Sequence, residues 1–120
     1  MKKIFFIALI TFGFSCSKVP VTGRKQLNLL PESMMLQTSL SSYNDFLSKN
    51  KNKTVSVGNP EAAMVQRVGK NIAAAVTRYM KQKGLIKRIK GYKWEFNLID
   101  DKTVNAWCMP GGKVVVYTGL

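Results

Sequence analysis

The 120-residue sequence contains no histidine. It therefore lacks the most common protein ligand for zinc and the most common general base at neutral pH. Acidic residues are scarce, six against nineteen Lys and Arg, which gives a formal charge of +13. Charge of that sign points to nucleic acid, an anionic membrane or an acidic partner, or to a basic surface with no ligand. There are two cysteines, Cys16 and Cys108, in unrelated contexts, so no disulfide framework is expected. No apolar run reaches the roughly 20 residues that a membrane-spanning helix needs. The hydrophobic fraction of 46% is ordinary for a folded chain, and the length allows one domain at most.

The longest apolar run is residues 4–14, preceded by Met1-Lys2-Lys3. A short positive segment followed by eleven apolar residues, counting Thr11 and Gly13, has the form of a secretory signal peptide. The run ends in Gly13-Phe14-Ser15-Cys16, and a small residue directly before a cysteine at that distance resembles a bacterial lipobox. There the thiol is acylated and the cysteine becomes the new N-terminus. Gly13 stands where leucine is usual, so an ordinary signal peptide with a coincidental cysteine is the alternative. We favour the lipoprotein reading, with Cys16 as the lipidation site, a membrane held through that anchor and a bacterial cell-envelope, periplasm-facing location. Residues 1–15 are then the leader, 16–30 a tether and 31–120 the folded part.

Within the tether, Pro20 and Gly23 favour extended and turn conformations. A first helix is expected over residues 31–47. Pro31 suits its first turn, Glu32 complements the dipole, and Met35, Leu36, Leu40, Tyr43, Phe46 and Leu47 recur at helical spacing. Asn59-Pro60-Glu61 opens a second helix, with Val65, Val68, Ile72, Val76 and Tyr79 as its apolar face and Gly84 just past its end. Residues 92–100 alternate, with Tyr92, Trp94, Phe96 and Leu98 on one side. Asp100-Asp101-Lys102 reads as a turn, 105–108 as a second strand, Met109-Pro110-Gly111-Gly112 as a reversal and 113–118 as a third strand. The expected class is α+β: two helices, then a small antiparallel meander that is incomplete at its C-terminus. A strand as apolar as Val114-Val115-Val116 needs a neighbour on each side and a layer above it.

Residues 62–94 hold nine basic residues and no acidic one. A nucleic-acid site would interleave aromatic residues with such a cluster, but Tyr92 and Trp94 read as strand core, and a secretory leader argues against nucleic acid. A solvated helix end accounts for the cluster, with anionic lipid headgroups as the other option. Asp100 and Asp101 are adjacent and cannot face one substrate from a strand. Gly111-Gly112 lacks the phosphate-loop pattern, and Cys108, read as a buried small hydrophobe, has no histidine to activate it. These residues alone assemble no catalytic site.

Asn105-Ala106-Trp107, followed by Pro110-Gly111-Gly112-Lys113 and the run to Thr118-Gly119-Leu120, resembles the zinc metallopeptidases of the HtpX, Oma and CaaX-protease type, and most of all their bacterial envelope members. Pro20 with Thr22-Gly23-Arg24 and Gln26-Leu27, Leu30-Pro31-Glu32, and residues 65–72, VQRVGKNI, agree with it in the same order. The resemblance implies an HExxH helix after such a block, with two histidines and a downstream glutamate holding zinc and the motif's glutamate activating water. None of these residues is present, so no metal ligand and no catalytic residue can be placed on this chain. The resemblance implies the N-terminal portion of an envelope-anchored zinc metalloendopeptidase, inactive as given, whose complete form takes protein or peptide substrates. It also implies that the strands around Pro110, Gly111 and Gly112 border the cleft, with the backbone of Asn105, Ala106 and Trp107 pairing with an extended substrate. Plain sheet structure is the other reading of that segment. A non-enzymatic basic lipoprotein that binds an anionic partner at a membrane surface is the rival for the whole chain.

Overall fold

The computed structural model describes residues 16–19, 21–27 and 29–120. The leader expected at 1–15 lies outside the described residues. Cys16–Lys18 (β1) and Lys25–Leu27 (β2) pair antiparallel within the segment read as a tether, Cys16 opposite Leu27. Gly23, at φ +66°, turns the chain between them.

The first helix, α1, covers Glu32–Lys49 and starts directly after Pro31, with Glu32 in its first turn. Asn50 closes it, its backbone N–H and its side-chain amide both donating to the Phe46 carbonyl. The second, α2, covers Pro60–Gln82. The Asn59 side chain accepts from the Glu61 N–H at 2.8 Å and Pro60 occupies the first turn, as the sequence indicates. Gly84, at φ +68°, follows its C-terminus. A 3-10 turn, Ile86–Ile89, leads to the strands Glu95–Ile99 (β3), Ala106–Met109 (β4) and Lys113–Tyr117 (β5).

The α+β class holds, but the expected all-antiparallel meander does not form. The sheet order is β3-β5-β4, with β5 parallel to β3 and antiparallel to β4. The most apolar strand takes the centre, where Val115 is fully buried between Asn97 and Trp107. The connection after β3 makes this possible by crossing the end of β5. Thr118 N–H bonds Ile99 O at 3.0 Å and Gly119 N–H bonds Asp101 O at 2.9 Å. A Cβ at Gly119 would lie 2.3 Å from the Lys102 carbonyl oxygen, so the crossing needs glycine there. Asp101 shapes the turn by accepting from the Thr103 N–H and hydroxyl, bonds that hold its carboxyl below the ordinary carboxylate range.

The helices cover opposite faces of the sheet. Tyr43, with Phe46 and Leu47, packs on Ile99 and Val115, while α2 meets Phe96 on the other side. The buried residues of α2 are Ala62, Gly69, Ala73 and Met80. A Cβ on Gly69 would stand 2.4 Å from the Phe96 ring, so the helix approaches the sheet through its smallest residues. Of the expected apolar face, Val65, Val76 and Tyr79 are half-buried, but two residues point away. Val68 is 44% and Ile72 55% exposed. On α1 likewise, Ser39 is buried and Leu40 is exposed.

Candidate functional site

The hairpin β4–β5 turns on Pro110, Gly111 and Gly112, with φ of +91° at Gly111 and +81° at Gly112. A Cβ on Gly112 would lie 2.9 Å from the Trp94 ring, so both conformation and space require glycine. All three turn carbonyls are occupied. Ser39 Oγ donates to Pro110 O at 2.7 Å, Lys93 N–H to Gly111 O at 3.0 Å and Glu95 N–H to Gly112 O at 3.0 Å. The turn is thus fixed to α1 and to the approach to β3.

Beneath it lies a part-buried polar network. Lys113 is 7% exposed, and its Nζ donates to Lys93 O at 2.8 Å and to Glu95 Oε2 at 3.0 Å, and stands 5.6 Å from the centre of the Tyr43 ring. Asn97 Nδ2 donates to the Tyr43 hydroxyl and to Glu95 Oε1. Sequence reasoning missed Ser39, Asn97 and Lys113. Alternation could have flagged Lys113, because it shares a face with Val115, the strand's inward residue.

The two sheet edges differ. On β3 the outward carbonyls are occupied: Gln66 Nε2 donates to Phe96 O and Val55 N–H to Leu98 O at 2.9 Å, and just past the strand Asp100 N–H donates to Lys53 O at 2.7 Å. On β4 the Tyr117 N–H donates to Asn105 O at 3.0 Å. The pairs 105/117 and 107/115 are therefore of the hydrogen-bonded kind, and alternation turns the N–H and C=O of Ala106 and Cys108 outward. Of the backbone positions marked in the sequence, Asn105 and Trp107 thus face β5, Ala106 faces out, and Pro110, Gly111 and Gly112 hold the turn. Trp107 fixes β4 to α1, with its ring edge-on to Phe46 at 4.9 Å and to Tyr43 at 6.4 Å. Cys108 is exposed, not buried as expected, because it lies on the face opposite Trp107. Partial desolvation of its thiol pushes the pKa up, which disfavours the nucleophilic thiolate. Cys16 lies on β1, outside this sheet.

A cavity of about 420 Å³ lies elsewhere, against α1 and the 3-10 turn, where Glu32, Arg88 and Tyr92 meet Met35, Leu36 and Met80. Among the described residues no three of His, Cys, Asp and Glu are close enough to hold a metal ion, so this donor set does not fit a zinc site. No described helix is long and apolar enough to cross a membrane.

No protein-family model and no solved structure matches the chain. Curated proteins do. The mitochondrial metalloendopeptidase OMA1 of Danio rerio is 23% identical over 117 residues, covering 98% of this chain and 23% of its own length. The mitochondrial metalloendopeptidase OMA1 of Schizosaccharomyces pombe is 28% identical over 102 residues, covering 85% of this chain and 27% of its own. The Arabidopsis thaliana protein of the same name is 47% identical over 32 residues, 27% of this chain and 7% of its own. The chain thus has low-identity homologues among OMA1 metalloendopeptidases, and it spans 23% and 27% of the length of the first two. All three are mitochondrial by name, which overturns the expected bacterial-envelope location.

Tyr43 gives the network a pH signature. Burial, the largest cause, pushes its hydroxyl up to about 12, and the bond from Asn97 offsets part of the rise. The unfolded chain loses this proton near pH 10.0 and the folded chain near 12. The Tyr43 contribution to stability is therefore whole below pH 10.0 and is lost as pH rises towards 12. Urea midpoints should fall across that window in the native chain and fall less steeply in Tyr43→Phe. Equal slopes would remove Tyr43 as the cause.

Proposed function

We propose that this chain is the N-terminal portion of a zinc metalloendopeptidase, with residues 31–120 forming the first part of the peptidase domain. The observation that carries this is the run of low-identity matches to OMA1 metalloendopeptidases over nearly the whole chain. The Asn105-Ala106…Pro110-Gly111-Gly112…Thr118-Gly119-Leu120 block supports it through its resemblance to the wider HtpX, Oma and CaaX-protease group. Zinc and the water-activating carboxylate belong to the complete protein, and the 120 residues alone are inactive. The purified chain should hold no stoichiometric zinc by atomic absorption and leave casein intact, and the coding sequence after Leu120 should encode HExxH within a few dozen codons. A stop codon directly after Leu120, or tight zinc binding with proteolysis by the chain itself, would overturn the reading.

In the complete enzyme the substrate is a protein or peptide bound in extended form along the open edge of β4. Ala106 and Cys108 supply the outward N–H and C=O groups, while Asn105, Trp107 and the turn at Pro110, Gly111 and Gly112 hold that edge in place. Proline at Cys108 removes one outward donor and no ladder bond. In the complete enzyme Cys108→Pro should raise KM about ten-fold, the equivalent of one hydrogen bond of about 1.4 kcal/mol, with kcat changed far less. An unchanged KM would return the edge to a purely architectural role.

Cys16 is proposed as an acylation site on its own local chemistry, a thiol directly after the apolar run and Gly13-Phe14-Ser15. Labelling with a fatty-acid analogue in cells should vanish in Cys16→Ser. Persistent labelling would exclude Cys16.

A further inference from the structure

We propose that the end of α2 and the 3-10 turn after it form a docking face for anionic phospholipid. A cleft of about 380 Å³ lies there, with Ile86, Ile89, Tyr92 and Trp94 as its apolar lining and the exposed Lys87 and Lys90 beside them. The helix contributes Thr77, whose hydroxyl is spent on the Ala73 carbonyl at 2.8 Å. The cleft is braced from behind, because Tyr92 meets Trp94 edge-on at 5.7 Å and Trp94 stacks on Phe96 at 6.2 Å. Ile86 is 41% exposed at the mouth.

The charge around this cleft has one sign. Lys70 and Lys81 stand seven residues before and four after Thr77, on the same stripe of α2, and both are exposed. Residues 62–94 contain no carboxylate. The salt bridges among the described residues are Lys53–Asp101 and Lys113–Glu95, so none of these four lysines has an acidic partner there. Glu32 lines the neighbouring cavity together with Arg88.

An apolar slot edged by unpaired ammonium groups matches a molecule with a negative head and an apolar body. A nucleic acid would need aromatic faces to stack on, but the Trp94 ring lies between Phe96 and the close approach of Gly112. An acidic polypeptide would satisfy the lysines and leave the slot in water. At a bilayer, each lysine raises partitioning about five-fold, and Tyr and Trp suit the headgroup level. The attraction weakens with salt, because the screening length is about 8 Å at physiological ionic strength.

The test uses the full chain, so that residues 1–15 contribute equally in every variant. Vesicles of equal parts phosphatidylglycerol and phosphatidylcholine should bind it at least ten-fold more tightly than phosphatidylcholine alone. Lys87→Glu with Lys90→Glu should lose about ten-fold or more of that preference, a loss consistent with the per-lysine gain. Lys49→Glu with Lys51→Glu, the same charge change at the other end of the helix pair, should lose less than a third as much. Lys87→Gln with Lys90→Gln provides the same comparison if charge reversal disturbs folding. In a Trp107→Phe background, brominated lipid should quench Trp94 emission. Equal losses from the two lysine pairs would mean that net charge alone is responsible. Unquenched Trp94, or displacement from vesicles by RNA or polyglutamate but not by free phosphatidylglycerol micelles, would overturn a lipid-specific face.

Discussion

Everything in the described fold follows from the burial of β5. Val114, Val115 and Val116 cannot lie at an edge without leaving a row of unpaired backbone groups beside an apolar surface. Placing β5 between β3 and β4 satisfies both of its edges and buries Val115 completely. The placement then dictates the rest. The chain must cross the end of β5 before β4 can form, which is why Asp101, Thr103, Thr118 and Gly119 lock together there. One face must also receive α1, whose Tyr43 fills the space over Val115 and Ile99.

The same constraint decides which edge is open. The β3 edge is closed by Gln66 and by the segment around Val55, whereas β4 keeps Ala106 and Cys108 turned outward. An open edge is an aggregation hazard unless it is short or has a use. Here it is four residues long and is held from behind by Trp107 and by a turn whose carbonyls are all occupied. Such rigidity suits strand addition, because little ordering is left to be done when a peptide arrives. The buried Lys113 is part of that support, with its charge compensated by Glu95 and a backbone carbonyl rather than left unpaired.

The second helix shows how one element serves two demands. Gly69 and Ala73 bring it close to Phe96, at the cost of turning Val68 and Ile72 towards solvent. Its basic flank then continues without interruption into the Lys-rich turn after it. Nine of the nineteen basic residues fall within residues 62–94, and two of them, Lys87 and Lys90, line an apolar cleft.

Local signals were legible from the residues themselves. The Asn59-Pro60-Glu61 start, the Gly84 stop, the Asp101 turn and the Pro110-Gly111-Gly112 reversal each depend on neighbours a few residues away, and each appears where the sequence places it. The α+β class and the need of β5 for two neighbours were equally readable, because they follow from periodicity and hydrophobicity. Strand order, the buried face of α2 and the network of Ser39, Tyr43, Asn97 and Lys113 were not. These join residues as far as 71 positions apart, as in the Ser39–Pro110 bond, and no local pattern encodes which distant group will accept a given proton. Sequence alone thus determined the elements and the charge. Only tertiary packing decided which backbone edge stays free and which lysines surround a cleft, because both depend on which surfaces the other elements have already covered.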